Sequence, residues 1–516
     1  MVQGWGQVQI ETGLYLQLDK RWGSSQALSL GPGIQAAKCK KLGSSDRMDR
    51  YFWERLGDAG DAIAFVDEPE REAWSYKRLS MAVADGSARL PHNRKKVIFL
   101  FANNDAGSIL CYLSALMAGH LVYLAKGMVS WPDATELLEK YRPDILLWKG
   151  TDEFMPPQYE SSDPLFGYQF AERGGEQRTV GKEIGLLLST SGSMGSPKLV
   201  RLSRQNIEAG AYQVAKALKL APGQRAITSL PMSFVFGLSV VHSHLYAGAS
   251  LVLTRRSVQD RAFWQLLDET GVTSLAGVPW TFRMLRAIAF DPAHYPRLRR
   301  FSLSGGAIDP ELSDWLGTLS EEGLDIFSMY GQTEATGRIC VLPPELFRVK
   351  PRSVGPPMEG SQINCDADGN IIFSGPNVML GYANSRDDLG DADSLGGTLL
   401  TGDTGYLDRD GCLYITGRTS RVAKLFGLRV NLDEIEAFLG GSSVVAASDD
   451  QQLVIFLEKT KPTGFDEKLA ELLRRLRIPV HCVHVQVLTE FPRNAAGKIR
   501  YGALRGNTKQ RPNVLF

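Results

Sequence analysis

From about residue 48 to 415, short apolar runs alternate with stretches whose apolar residues recur every three or four positions. Residues 97–101 (VIFLF), 226–230, 250–253 and 301–303 predict buried strands. Ser203 predicts the cap of a helix reaching about Leu218, and residues 257–269 predict another. The longest apolar run, residues 109–125, follows Asn103, Asn104 and Asp105, which predict a turn and a helix start. It is too short to span a bilayer and carries His120, so it predicts a buried helix leading into a strand. Strand and helix in alternation imply α/β layers.

The last hundred residues follow a different rhythm. Asp410-Gly411 between two apolar segments predicts a hairpin turn. The basic stretch GRTSRVAKLFGLRV follows, and then a helix starting at Asn431, with Glu434 three residues on as in a capping box. Residues 444–447 and 452–457 predict strands around an Asp449-Asp450 turn. Leu469, Leu472, Leu473 and Leu476 form a helical stripe, and Val483, Val485 and Val487 alternate with polar residues as a strand. This predicts a small α+β domain over 417–516, beside a larger α/β domain over 46–416. Residues 1–45, rich in Gly, Ser and Gln, predict an N-terminal arm of unknown role.

The chain's 58 Lys+Arg nearly balance its 57 Asp+Glu, which argues against a protein built to grip nucleic acid. The charge is unevenly placed: residues 417–516 hold 16 Lys+Arg against 10 Asp+Glu, which suits a phosphorylated ligand at the junction of the two parts. The six cysteines include no CxxC pair, which suits a reducing compartment rather than a disulfide framework or a structural zinc site. With no export signal or membrane span legible, the expectation is a cytoplasmic protein.

Candidate chemistry concentrates in residues 189–203, STSGSMGSPKLVRLS, directly after the apolar residues 185–188. Gly192 and Gly195 permit a tight backbone whose N–H groups face phosphate oxygens; Thr190, Ser191 and Ser193 add hydroxyls and Lys198 a charge. It is not a Walker loop, because Pro197 and Leu199 flank the lysine where glycine and a hydroxyl residue are required. Four more segments follow in order: MYGQTEA (329–335), LTGDTG (400–405), GRTSRVAKLFGLRVNLDEIE (417–436) and PRNAAGKI (492–499).

Together these five segments resemble the motifs of the adenylate-forming superfamily, which includes acyl-CoA synthetases, peptide-synthetase adenylation domains and luciferases. In the first, only Met194 departs from the pattern [ST]SG[ST]TGxPK. The resemblance implies a large multi-layered N-terminal domain and a small mobile C-terminal lid. It also implies ATP-dependent conversion of a carboxylic acid to acyl-AMP, followed by acyl transfer to a thiol, coenzyme A first. Much of that chemistry is alignment and charge neutralisation.

By the same resemblance, Thr190, Ser193 and Lys198, with Ser191, Gly192 and Gly195, grip the β- and γ-phosphates. Thr333 contacts the α-phosphate and Glu334 holds Mg²⁺. Gly305, Gly306, Ala307, Tyr330 and Gly331 form the adenine slot, while Asp403 and Arg418 hold the ribose. Lys498 bridges the acid and the α-phosphate, and Ser420 occupies the hinge, where Asp or Lys is usual.

Phe234, Val235, Phe236 and Gly237, with Val240, Val278 and Phe282, are the expected acyl lining. Adenylation domains for α-amino acids place Asp after the Phe. Here Val235 would leave an ammonium buried and unpaired, so the expected acid lacks an α-amino group and is of aromatic, fatty or polyketide type. An amine or a separate carrier protein as acceptor, and a non-catalytic sensor on the same scaffold, are the alternatives. His481 and His484 point to opposite faces of a strand and predict no metal site. Residues 439–443 (LGGSS) predict a loop.

Overall fold

The computed structural model describes residues 50–127, 131–150, 156–175, 180–190, 198–425, 428–440, 444–448, 453–476, 480–493, 499–501 and 503–504. An eight-stranded mixed sheet, an eight-stranded, mostly parallel sheet and a four-stranded antiparallel sheet account for most of the strands. In the first sheet Ile184–Ser189 pairs with both Leu121–Lys126 and Leu199–Ser203, and Gly381–Ala383 adds at the edge beside Leu199–Ser203. In the second, Ser274–Gly277, Arg300–Leu303 and Asp325–Tyr330 run parallel, and Cys340–Leu342 closes that edge in the opposite direction.

Local chemistry accounts for several elements as predicted. Asp105 caps helix Ala106–Met117 by accepting the Ser108 N–H at 2.9 Å. Ten further residues of that helix besides Ala106 are buried, so it needs no polar face. Ser203 and Asn206 cap Arg204–Ala217 reciprocally, each side chain meeting the other's backbone N–H at 2.9 Å. Gly411, at φ +74°, turns the hairpin between Thr398–Leu407 and Leu413–Arg418.

Two expectations need correcting. The strand predicted over 226–230 is Arg225–Ile227, because the chain then turns through Ser229 toward Pro231. The helix predicted from 257 begins at Arg261. Ser257 instead donates its N–H to Asp260 Oδ2 at 2.9 Å and accepts from the Asp260 N–H, which makes a turn before the helix. The strand read from Val483, Val485 and Val487 is present, as Val483–Leu488. Val485 and Val487 register with Ile455 and Leu457 in the three-stranded C-terminal sheet, yet this outer strand leaves them 42% and 53% exposed.

The C-terminal sheet packs Leu453, Ile455 and Leu457 against helices Leu432–Leu439 and Phe465–Leu476, while Val454 and Phe456 meet Phe491 and Leu504. This part has its own small core. Residues 449–452 and 441–443, including the predicted Asp449-Asp450 turn and most of the LGGSS segment, lie outside the described residues.

Candidate active site

Tyr330 ends the strand Asp325–Tyr330, and the chain then folds back on itself within eight residues. A Cβ at Gly331 would lie 2.2 Å from the Gly337 carbonyl oxygen, so the crossing requires glycine. Between them Thr333–Ala335 forms a single turn, and Thr336 takes a left-handed conformation at φ +52°. Asn377, fully buried, holds this strained turn. Its Nδ2 donates at 2.8 Å to the carbonyls of Ala335 and Arg338, and its own carbonyl accepts from Thr336 Oγ1 at 2.7 Å. Thr333 is buried and Glu334 half-buried in the turn.

The Tyr330 hydroxyl donates to Asp403 Oδ2 at 2.6 Å, and Arg418 Nε lies 3.0 Å from Asp403 Oδ1. Asp403 and Arg418 are cross-strand partners in the four-stranded sheet. Burial, and then the Asp403 charge, drive the Tyr330 phenol above its ordinary range and keep it a donor. Three residues predicted to hold adenosine thus meet from two sheets.

Glu334 Oε1 accepts from the Tyr382 hydroxyl at 2.7 Å, and Lys198 Nζ sits 3.3 Å from the centre of the Tyr382 ring. Tyr382 therefore joins the predicted phosphate lysine to the predicted metal carboxylate. Burial, and then Glu334, raise its phenol above the ordinary range, so it too remains a donor. The Tyr382 bond is the only side-chain hydrogen bond of Glu334 among the described residues, which leaves Oε2 for a hard cation preferring oxygen ligands. The residues fit Mg²⁺ at that oxygen. Thr190 follows the strand Ile184–Ser189, half-buried, while Ser191, Gly192, Ser193 and Gly195 lie outside the described residues.

Gly305, at φ +88°, turns the chain after Arg300–Leu303, and a Cβ on Gly306 would meet Pro279 Cγ at 3.3 Å. This places the Gly305-Gly306-Ala307 loop against the segment that carries Val278. Phe234 precedes helix Val235–Tyr246. Gly237 is required there, since a Cβ would lie 2.3 Å from the Pro231 carbonyl oxygen. Val235 lies against Gly337, and the Phe236 ring lies under the Arg338 guanidinium at 3.8 Å. The expected acyl segment therefore packs directly on the Tyr330–Arg338 turn. Phe282 is a correction: fully buried, it packs on Phe301 with ring centroids 5.1 Å apart and belongs to the core.

His242 and His244 are packed as expected. His242 Nε2 meets the Tyr112 hydroxyl at 2.9 Å, and His244 Nδ1 meets the Val240 carbonyl at 2.8 Å. Lys498 lies outside the described residues, as does the side chain of Ser420. The backbone of Ser420 lies in the turn Thr419–Arg421. On one side of it Arg418 reaches Asp403. On the other, Arg421 Nε pairs with Asp433 at 2.8 Å and its Nη2 with Glu436, both on helix Leu432–Leu439. Tyr382, Asn377 and Arg338 were not singled out in the sequence. The only local sign of Tyr382 is the preceding Gly381, at φ +124°.

The family of AMP-binding enzymes matches residues 52–383, and the chain belongs to it. Within that family the chain is an AMP-forming carboxylic acid ligase of the adenylate-forming superfamily. It is 28% identical over 488 residues to a 2-succinylbenzoate–CoA ligase of Bacillus cytotoxicus, covering 89% of this chain and 98% of that protein. A 2-succinylbenzoate–CoA ligase of Bacillus subtilis is 30% identical over 345 residues, covering 63% of this chain and 69% of that protein. Among solved structures, the fold is similar to the B. subtilis o-succinylbenzoate CoA synthetase in complex with its acyl-adenylate intermediate. That match has a TM-score of 0.70 at 23% identity, over 90% of this chain and 99% of that one. An ATP-bound RpMatB-BxBclM chimera matches with a TM-score of 0.72 at 18% identity, over 89% and 99%. No helix among the described residues is long and apolar enough to cross a membrane.

Proposed function

We propose that the protein activates 2-succinylbenzoate, or an aromatic acid of that class, as its acyl-AMP, and passes the acyl group to coenzyme A in the cytoplasm. The observation that carries this reading is Val235. It sits at the start of its helix against the Tyr330–Arg338 turn, where an α-ammonium group would find no counter-charge, and the similar 2-succinylbenzoate–CoA ligases act on an acid without one.

In this reading Asp403 and Arg418 hold the ribose, Gly305, Gly306, Ala307, Tyr330 and Gly331 receive the adenine, and Thr333 contacts the α-phosphate. Lys198, with Thr190, Ser191, Gly192, Ser193 and Gly195, holds the outer phosphates. Bound at Glu334, Mg²⁺ would neutralise phosphate charge. Lys498 brings a cation to the carboxylate and the α-phosphate, and Ser420 is the hinge on which residues 417–516 turn. Phe234, Val235, Phe236, Gly237, Val240 and Val278 line the acyl site. The names of the similar ligases give no support to an amine or a carrier protein as acceptor.

The test is pyrophosphate release across a panel of carboxylic acids and α-amino acids, with the product formed from coenzyme A identified by mass. The expected result is release with 2-succinylbenzoate and formation of its CoA thioester. Release with amino acids at equal rates would overturn the pocket argument. Lys498→Ala should retain ATP binding and lose acyl-AMP formation; an unchanged rate removes that lysine from the mechanism.

A further inference from the structure

The segment that carries Lys498 leaves the described chain at Arg493 and returns at Ile499, and these two residues pair across an antiparallel bridge. Arg493 Nη2 reaches both carboxylate oxygens of Glu458, at 3.2 and 2.9 Å, and Glu458 Oε1 also accepts the Phe491 N–H at 2.8 Å. The Arg500 N–H donates to the Pro492 carbonyl at 2.7 Å, which closes the base of the segment. Lys498 is the residue immediately before Ile499. Whatever fixes residues 499–501 therefore fixes the point from which its side chain starts.

Tyr501 joins this base to the hinge turn. Its ring packs with Val454, Phe456, Phe491 and Leu504, and the Arg421 guanidinium lies over it, 3.9 Å from the ring centre. Its hydroxyl donates to Glu436 Oε2 at 3.3 Å. Burial, and then the Glu436 charge, hold the Tyr501 phenol above its ordinary range, so it remains a donor. Arg421 follows Ser420 directly and ends the turn Thr419–Arg421. The side chains of Arg421 and Glu436 are 7% and 13% exposed, and their pairing needs nothing from Tyr501. Arg421 Nη1 also donates to the Ala446 carbonyl at 2.9 Å, and Glu436 Oε1 accepts the Ala446 N–H at 2.8 Å. The buried pair is thus a fixed platform beside the hinge, and the tyrosine is what docks on it.

We infer that Tyr501 is a positioning residue for Lys498: it ties the base of the lysine segment to Arg421 and Glu436, so that the hinge turn and the lysine move as one piece. This deepens the proposed function and rests on its assignment of Lys498 and of the hinge. For a group that must meet both the acid and the α-phosphate, a misplacement of about 1 Å costs about a hundredfold in rate. When coenzyme A attacks, the bond between acid and phosphorus already exists, so the anchor serves the first step and not the second.

The test separates the two steps in the full-length enzyme. The first is pyrophosphate release from ATP and 2-succinylbenzoate without coenzyme A, in a single turnover. The second is thioester formation from the synthetic acyl-AMP and coenzyme A. Tyr501→Ala should slow the first at least tenfold at saturating ATP, and the second less than twofold. Tyr501→Phe, which keeps the ring under Arg421, should recover most of the lost rate. Equal slowing of both steps in Tyr501→Ala, the mark of a loosened lid, would overturn the inference, and so would an unchanged first step. An independent readout needs no substrate: backbone hydrogen exchange of residues 499–504 should be at least fivefold faster in Tyr501→Ala and near the parent's in Tyr501→Phe, with helix Leu432–Leu439 unchanged. Lys498→Ala is measured beside these. If 2-succinylbenzoate is not adenylated, or Lys498→Ala keeps the first step, while Tyr501→Ala still speeds exchange, the proposed function fails and the anchor stands. If exchange in Tyr501→Ala equals that of the parent, the anchor fails whatever the rates.

Discussion

Tyr330 and Asp403, 73 residues apart, meet in a 2.6 Å hydrogen bond that ties the end of the second sheet to the antiparallel sheet. The phenol is partly buried, and the carboxylate's other oxygen is taken by Arg418, so two donors orient Asp403. Bonds to a charged acceptor are each worth about 1.5–3 kcal/mol.

Tyr330→Phe should therefore weaken ATP use by about one order of magnitude, since its loss is of that size and removes one of the donors that orient the carboxylate. The change should appear in kcat/KM for ATP and not in kcat/KM for the acid. Asp403→Asn should do more, because it also removes the charge paired with Arg418. Steady-state kinetics with each substrate varied in turn measures both. A Tyr330→Phe enzyme with unaltered ATP kinetics would separate this pair from nucleotide binding.

Tyr382→Phe should leave the fold intact while releasing Glu334 Oε1, because the ring that faces Lys198 is retained. A carboxylate no longer held by its donor holds a cation less well; the loss of an outer partner typically lowers metal affinity about 10–100-fold. The magnesium concentration for half-maximal pyrophosphate release, titrated at fixed ATP, should rise accordingly. An unchanged magnesium requirement would place the cation elsewhere.

These two pairs show what the chain discloses to a reader of its sequence and what it does not. Strings such as YGQTEA, TGDTG and the Ser203 cap are legible because their chemistry is local: the turn and the capping box lie within a few residues. Tyr382 was not legible because its role arises from pairing. Strand Gly381–Ala383 lies antiparallel to Leu199–Ser203, which brings its tyrosine beside Lys198 and Glu334, residues 184 and 48 positions away in sequence. Arg338 escaped notice because it lies just past the motif, and only its burial makes an ordinary arginine informative. Val485 and Val487 show that alternation marks a strand but does not tell whether anything covers its face.

The acid stability of the fold should be set partly by three buried histidines. Burial lowers His120 to about 4, His242 to about 3 and His244 to about 4, against 6.5 for the free side chain. Above pH 6.5 both folded and unfolded chains keep them neutral, and they contribute no pH dependence. Below it the unfolded chain binds protons that the folded chain refuses, so stability falls as pH drops from about 6.5 toward 4. Each group adds a slope of up to about 1.4 kcal/mol per pH unit. Urea midpoints measured between pH 7.5 and 5 should decline, and His242→Phe should make the decline shallower. A flat profile across that interval would mean that the histidines are protonated in the folded chain.

The central claim is that the acid's own oxygen attacks the α-phosphorus, and the most direct measurement follows that atom. With the succinyl carboxylate of 2-succinylbenzoate labelled with ¹⁸O, the new bond joins a labelled oxygen to phosphorus and pyrophosphate leaves. Attack of the coenzyme A thiolate on the carbonyl then breaks the carbon–oxygen bond and releases AMP carrying that oxygen. Mass analysis should find one ¹⁸O in AMP for each thioester formed and none in pyrophosphate. Label recovered in inorganic phosphate, with ADP as the nucleotide product, would contradict the account.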